Sequence, residues 1–180
     1  MLPLLLLGGN HPAPAPRPAL AVLIVLDGLP GGLLERYDSL FTGGFRRMHD
    51  EGFSFSSAMV DHAITVSHAG HVTIATGRFP AHHGIVDAAW YTLEPGGTRK
   101  FRDALVDSAE HVVGDSAGRT SVSPRQVLTD GIAEWAGKAS AESRVAAIGT
   151  GPYSSLLHVF HPGVPVFWYD GGAGRYVTSS

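Results

Sequence analysis

Residues 65–86 read TVSHAGHVTIATGRFPAHHGIV, and the interpretation of the chain starts from this stretch. Val72 and Ala75 share one side of a helix that we expect to begin just after Ser67 and to end at Gly77. A helix N-terminus offers unpaired N–H groups and the positive end of the helix dipole, and both favour a phosphate group. Ser67 is therefore a candidate nucleophile beside a bound anion, and an ordinary helix-capping serine is the alternative.

An apolar run lies upstream of this helix. Residues 20–26 read LAVLIVL and end at Asp27-Gly28. Such a run predicts a strand buried on both faces, as in a parallel sheet covered by helices. Because ligands bind at the carboxyl ends of strands in open α/β sheets, Asp27 is a candidate metal ligand. A plain Asp-Gly turn after a strand is the alternative.

Helical and strand patterns alternate along the rest of the chain. We expect further helices over residues 43–52 and from Ser123-Pro124 to about 136, where Ser is the N-cap and Pro the first helical residue. We expect strands over residues 53–60, 85–91 and 144–148, a hairpin over 166–178, and mostly loop with some hairpin over 92–120. The alternation predicts an α/β three-layer sandwich with a mainly parallel central sheet. The chain stops at Ser179-Ser180 directly after a strand, which indicates a truncated domain.

Composition narrows the class of protein. The 180 residues carry a net charge of −3, 44% apolar and 16% charged residues, ten histidines and no cysteine. The chain is therefore expected to fold, to lack disulfides and thiolate ligands, and to have no nucleic-acid-binding surface. Residues 1–19 are expected to be a partial signal peptide or a disordered Pro/Ala-rich leader, too short in its apolar part to span a membrane. Export to the periplasm or the medium fits this leader, and residues 20–180 form the predicted domain.

The ordered set of motifs resembles the alkaline phosphatase superfamily. Its parts are VLIVLDG at residues 22–28, the stretch at 65–86, and Trp90-Tyr91. Within the superfamily, the chain is most similar to the branch of nucleotide pyrophosphatase/phosphodiesterases and PafA-type alkaline phosphatases. The similarity extends from about Leu20 to the end and includes Gly43-Gly44-Phe45, Glu51-Gly52, Ser123-Pro124-Arg125 and Phe167-Trp168-Tyr169-Asp170.

The resemblance implies roles for individual residues. Asp27 matches an aspartate ligand of one zinc ion, and Ser67 matches the nucleophile that also coordinates that zinc. His71 matches a histidine that we interpret as structural support of the helix start, and Tyr153 is a candidate for lining the substrate pocket. The implied chemistry uses two zinc ions and a phosphoseryl intermediate, and releases phosphate from a small phosphate ester.

Three departures from the family pattern stand out. Ala88 occupies the place of an asparagine that binds a phosphoryl oxygen, and Gly151 and Tyr153 occupy the places of a lysine and an arginine. These losses favour either phosphodiester or nucleotide-type substrates over the more highly charged monoesters, or a weaker or altered enzyme. The remaining zinc ligands of the family, an Asp-x-x-x-His, an Asp-His pair and a late histidine, are missing from these 180 residues, and His158 and His161 do not reproduce them.

Other histidines receive plainer interpretations. We expect His158 and His161 to be structural or surface residues, and His82 and His83 to be turn residues. His62 and His68 flank the nucleophile and could touch substrate, although solvated loop histidines are the simpler interpretation.

The leading hypothesis is a zinc-dependent phosphoric ester hydrolase whose 180-residue piece is inactive alone. The alternative is a non-catalytic remnant of the same fold. A metal-free serine esterase is disfavoured, because no G-x-S-x-G motif surrounds Ser67. The sequence makes no prediction of oligomeric state.

Overall fold

The computed structural model describes residues 18–113, 121–160 and 163–179. The helices are α1 (Gly31–Arg36), α2 (Gly43–Glu51), α3 (Ser67–Thr76), α4 (Pro80–His83), α5 (Ile132–Ala139) and α6 (Pro152–Leu156), with a 3-10 turn at Asp38–Leu40. The strands are β1 (Ala89–Leu93), β2 (Arg99–Asp103), β3 (Ala147–Gly149), β4 (Val166–Asp170) and β5 (Arg175–Val177). The chain is an α/β protein. No helix in the described ranges is both long and apolar enough to cross a bilayer.

The strands form two small sheets. β1 and β2 pair antiparallel, with Ala89 opposite Asp103. In the second sheet β3 runs parallel to β4, and β4 runs antiparallel to β5. Among the described residues the sheets thus hold one parallel and two antiparallel pairs, so the expected mainly parallel central sheet is not confirmed.

The core is formed by residues of α3, α5, α6 and the second sheet, together with the segments between them. Ala69, Val72 and Ala75 of α3 are at most 1% exposed, as the helical spacing predicts. The helix packs against α4, α5 and α6. The core cluster also contains Ile85, Ala104, Leu105, Ala133, Leu156, Leu157, Val159, Val166, Trp168 and Val177. This packing buries one face of α3, while Ser67 and His68 at its start stay half-buried.

The helix predicted to follow Ser67 is confirmed, and its end is where it was predicted. It begins one residue earlier than predicted, at Ser67 itself with Val66 as the N-cap, and Gly77 ends it with a φ of 60°. That left-handed conformation suits glycine, because a side chain there is strained. The helix predicted over residues 43–52 and the hairpin predicted over 166–178 are also confirmed, as α2 and as β4–β5.

The helix predicted from Ser123-Pro124 is wrong at its start, since α5 begins only at Ile132. The Ser123 hydroxyl donates to the Asp107 carboxylate over 2.6 Å. Ser123 therefore joins two loops in addition to its weak 3.4 Å contact with the N–H of Arg125. The helix start is instead marked by Gly131, whose N–H donates to the Glu134 carboxylate over 2.8 Å.

Two strand predictions are wrong. Residues 20–26 and 53–60 form no strand, and their apolar side chains are exposed: Leu20 by 78%, Ile24 by 61% and Phe53 by 97%. A strand exists only through hydrogen bonds to a neighbour, and no described strand pairs with either segment. Two other strands are shorter than predicted: β1 excludes the fully buried Ile85, and β3 covers only the end of residues 144–148.

Candidate active site

A pocket of about 450 Å³ lies beside the first turn of α3. Asp27 and Ser67, which the sequence singled out separately, both line it. Its wall is formed by two stretches of chain, namely Val25, Leu26, Asp27, Gly28, Leu29 and Pro30, and then Val60, His62, Thr65, Val66, Ser67, Gly70, His71, Thr73 and Ile74. Asp27 is exposed and Ser67 is half-buried, so both groups remain accessible to a ligand.

The helix start presents main-chain donors at this pocket. Ser67 is the first residue of α3, and Val66 precedes it in an extended conformation. The first hydrogen bond of the helix runs from the Gly70 N–H to the Val66 carbonyl over 2.9 Å. The N–H groups of the three residues before Gly70 therefore have no partner within the helix and can donate to an anion.

His71 is held from behind by residues that are distant in sequence. Its Nδ1 lies 3.3 Å from Nε2 of His158. The Tyr153 ring lies against it, with centroids 5.5 Å apart, and against His68, with centroids 5.1 Å apart. Burial lowers the pKa of His71, although the nearby Asp27 carboxylate raises it. Burial lowers the pKa of His158 to about 4, so both imidazoles are neutral at pH 7.

A second chain of contacts reaches the pocket from the other side of α3. The Thr73 hydroxyl lies 3.1 Å from Nε2 of His83 and 3.4 Å from Nε2 of His62. The Ile85 N–H donates to Nδ1 of His83 over 3.2 Å. Burial, and to a smaller extent the neighbouring His62, lowers the pKa of His83 to about 4.

Two ring nitrogens of pocket residues have no partner. Nδ1 of His62 and Nε2 of His71 are buried, and neither has a hydrogen-bond partner among the described residues. His71 as a whole is only 3% exposed. Buried polar atoms are almost always hydrogen-bonded, so two exceptions on one pocket wall point to a ligand that completes them.

Several histidines lie elsewhere than the sequence suggested. His62 and His68 are half-buried, not solvated loop residues, and His68 belongs to α3. His83 is fully buried within the short helix α4, whereas His82 is exposed. His161 lies outside the described residues.

Tyr153 does not line the pocket but supports it from behind through His71. The contact between His71 and His158 could not be found from the sequence, because 87 positions separate the two residues. Thr73 could not be found in this way either, because it lies six residues after Ser67 on α3 and helical neighbours on one face are three, four or seven apart.

The pocket residues are of the types that bind zinc, but they are fewer than a zinc site needs. Carboxylate, hydroxyl and imidazole groups are zinc ligands, and Asp27, Ser67 and His71 line one pocket. A protein zinc site takes about four ligands. Within residues 18–113, 121–160 and 163–179, no group of three or more His, Cys, Asp or Glu residues is close enough to hold a metal ion.

Comparisons with known proteins agree on one family. Residues 21–163 match the family described as type I phosphodiesterase / nucleotide pyrophosphatase. Alkaline phosphatase PafA of Elizabethkingia meningoseptica is 32% identical over 178 residues, which cover 97% of this chain and 32% of the relative. Alkaline phosphatase PhoV of Synechococcus elongatus is 28% identical over 173 residues, which cover 94% of this chain and 30% of the relative.

A solved structure gives the same result for the fold. The crystal structure of a PafA mutant with one Thr→Ser, one Asn→Ala, one Lys→Ala and one Arg→Ala substitution superposes with a TM-score of 0.76 at 33% identity. The match covers 86% of this chain and 30% of that chain. The chain thus spans about a third of the length of the curated relatives it matches.

Proposed function

The chain belongs to the type I phosphodiesterase / nucleotide pyrophosphatase family, and from this premise we propose that its pocket serves the zinc-dependent hydrolysis of phosphate esters. Ser67 is the proposed nucleophile, and its phosphoseryl ester is the proposed intermediate. The observation that carries the proposal is the joint position of Ser67 and Asp27 on one pocket, at the start of a helix with unpaired N–H groups.

Each residue contributes by its position. The hydroxyl of Ser67 lies where the unpaired N–H groups of α3 can take up charge on the equatorial phosphoryl oxygens, and such preorganised donors lower the barrier to phosphoryl transfer. The Asp27 carboxylate is the proposed zinc ligand, and the buried, unpartnered Nε2 of His71 adds an imidazole lone pair to the same pocket. The chemistry that zinc supplies when bound is to lower the pKa of a coordinated hydroxyl and to stabilise the leaving oxygen.

The substrate preference follows from missing charges. Ala88, Gly151 and Tyr153 stand where the family resemblance expects an asparagine, a lysine and an arginine. The PafA mutant that superposes on this chain has lost residues of the same three types, together with a threonine replaced by serine. A phosphate monoester dianion needs more positive charge than a diester monoanion. We therefore favour phosphodiester or nucleotide-type substrates over monoesters.

The location of the protein and its domain organisation are also part of the proposal. Export to the periplasm or the medium, a leader over residues 1–19, and a three-layer catalytic domain that begins at residue 20 are consistent with the family. Because the chain spans about a third of the length of its relatives, the proposal takes the remaining zinc ligands from outside these 180 residues.

A second candidate is a non-catalytic member of the fold. The observation that favours it is the same set of residues, Ala88, Gly151 and Tyr153, together with an incomplete ligand set among the described residues. This candidate predicts that zinc binds weakly even when the complete protein is measured.

The test uses the protein encoded by the complete reading frame. Zinc content is measured by mass spectrometry, and turnover is measured with aryl phosphate mono- and diesters. We expect Ser67→Ala to abolish turnover, Ser67→Thr to retain part of it because a hydroxyl remains, and the exposed control His82→Gln to leave it unchanged. Full turnover by Ser67→Ala contradicts the proposal. If the unmodified protein contains no zinc and shows no turnover, the second candidate is favoured.

A further inference from the structure

His62 occupies a position that the proposed chemistry does not explain. It lines the same pocket as Asp27 and Ser67, and its Nδ1 is buried without a hydrogen-bond partner among the described residues. A buried polar atom without a partner costs free energy, so a ligand that pairs with it gains affinity. Whether Nδ1 donates or accepts decides which ligand atom it can meet.

A series of hydrogen bonds that begins at His83 indicates whether Nδ1 of His62 donates or accepts. A main-chain N–H can only donate, so Nδ1 of His83 accepts the hydrogen of Ile85 over 3.2 Å. Burial keeps His83 neutral by lowering its pKa to about 4. A neutral imidazole carries one hydrogen, which is therefore on Nε2 of His83. That N–H donates to the Thr73 hydroxyl oxygen, 3.1 Å away.

The series of hydrogen bonds continues from Thr73 to His62. The Thr73 hydroxyl has one hydrogen, and Nε2 of His62, 3.4 Å away, is the one acceptor among its described contacts, so we assign that hydrogen to the bond with Nε2. A neutral His62 whose Nε2 accepts carries its hydrogen on Nδ1. A protonated His62 carries a hydrogen on both nitrogens. In either state Nδ1 is a donor without an acceptor among the residues that the structure describes.

We propose that the Nδ1–H of His62 donates a hydrogen bond to a non-bridging oxygen of a phosphodiester bound at Ser67. The inference rests on the proposed function and names a substrate-binding residue for it. In this proposal the Nδ1–H of His62 takes the role of the asparagine that the family resemblance expects at position 88, where this chain has Ala88. It suits the monoanion of a diester, because no lysine or arginine stands at Gly151 and Tyr153 to neutralise a dianion.

Thr73 is the positioning residue in this arrangement. Its hydroxyl holds Nε2 of His62 and thereby keeps the hydrogen on Nδ1. Thr73→Val keeps the shape of the side chain and removes the hydroxyl. This variant is expected to release the preference for one tautomer, which is a readout that general loss of packing does not produce.

The first measurement is the tautomer of His62 in the 180-residue chain. Long-range ¹H–¹⁵N correlation spectra of ¹⁵N-histidine-labelled protein distinguish a protonated Nδ1 from a bare one. We expect a protonated Nδ1 in the unmodified chain, and a mixture of tautomers in Thr73→Val. A bare Nδ1 in the unmodified chain overturns the proposal.

The second measurement is binding of diphenyl phosphate, a diester monoanion, in buffer that contains Zn²⁺. His62→Gln places its amide near Nε2 and removes the donor at Nδ1, whereas His62→Asn places an amide donor near Nδ1. We expect about tenfold weaker binding for His62→Gln, the loss of roughly one hydrogen bond to a charged group, and recovery to within about threefold for His62→Asn. The exposed control His82→Gln is expected to bind like the unmodified chain.

The outcomes separate this inference from the proposed function. Equal binding by His62→Gln, or no shift of the His62 resonances on titration, overturns the role of His62 whatever the turnover. Ser67→Ala lacks the proposed nucleophile but keeps the donor, so it is expected to retain the His62 response. A retained response together with no turnover by the complete protein supports His62 as a phosphodiester donor and rejects the hydrolysis.

Discussion

Nδ1 of His71 lies 3.3 Å from Nε2 of His158, and the two rings stand at 89° with centroids 4.8 Å apart. The contact joins the pocket wall on α3 to the segment that follows α6. The main-chain carbonyl of Ser154 accepts a hydrogen bond from the His158 ring, which raises the pKa of His158 against the effect of burial. Each ring orients the next, so the position of His71 in the pocket depends on residues far along the chain.

Removing His158 is expected to destabilise the fold. His158→Ala leaves a second ring nitrogen of the buried His71 without a partner and opens a cavity, at a cost of about 2–3 kcal/mol. His158→Gln places an amide oxygen near Nε2 and is expected to cost less than about 1 kcal/mol. Urea unfolding followed by circular dichroism measures both variants. Equal costs for the two variants would show that the hydrogen bond is unimportant.

Stability is expected to fall as the pH falls from about 6.5 to about 4. Burial lowers the pKa of both His83 and His158 to about 4, below the value of 6.5 that is usual for histidine and applies to the unfolded chain. Between these pH values the unfolded chain binds protons that the folded chain does not, so each group removes up to about 1.4 kcal/mol per pH unit. Above pH 6.5 both states are neutral and the stability contributed by these groups is fully present.

Urea unfolding at pH 7 and pH 5 measures this slope. His83→Gln is expected to reduce the slope clearly, whereas the exposed His82→Gln is expected to change it little, because His82 is the smallest contributor to the lowered pKa of His83. The same slope in His83→Gln as in the unmodified chain is the contradictory result.

Two glycines of one region are expected to respond oppositely to alanine. A Cβ at Gly131 would lie 2.7 Å from the Ala75 carbonyl oxygen and 2.8 Å from the Phe160 ring, so Gly131→Ala is expected to cost about 2 kcal/mol. A Cβ at Gly137, inside α5, meets nothing within 4 Å, so Gly137→Ala is expected to stabilise by about 0.5–1 kcal/mol. Thermal unfolding measures both. A loss of stability in Gly137→Ala would contradict the interpretation of α5.

The exposed apolar surface over residues 53–60 is expected to promote self-association. Phe55 is 85% exposed and Met59 is 84% exposed. Phe55→Ser and Met59→Ser are expected to lower the binding of an apolar fluorescent dye and the tendency to associate, while changing stability by less than about 0.5 kcal/mol. Leu157→Ala, at a fully buried position, is the matched control and is expected to cost about 3 kcal/mol. Unchanged dye binding and association in the serine variants would contradict this prediction.

Features that depend on neighbouring residues could be predicted from the sequence. The spacing of Val72 and Ala75, the glycine at 77 and the turn at residues 171–174 specify α3 and the β4–β5 hairpin through contacts a few residues apart. The resemblance to the phosphodiesterase and alkaline phosphatase family is confirmed by the family match over residues 21–163. It could be seen in the sequence because its motifs are short and occur in a fixed order. The residues chosen for catalysis, Ser67 and Asp27, remain predictions that the shared pocket supports.

The tertiary structure alone decided which polar groups meet and which apolar segments are covered. The sequence by itself determined α3 and the place of Ser67 at its start, because helical hydrogen bonds and one buried face are local properties. Apolar composition did not determine the state of residues 20–26, because burial requires a partner surface and pairing requires a neighbouring strand. The same physical reason applies to the contacts of His62 with Thr73 and of His71 with His158, which exist only once α3 has packed against the chain on both sides of it.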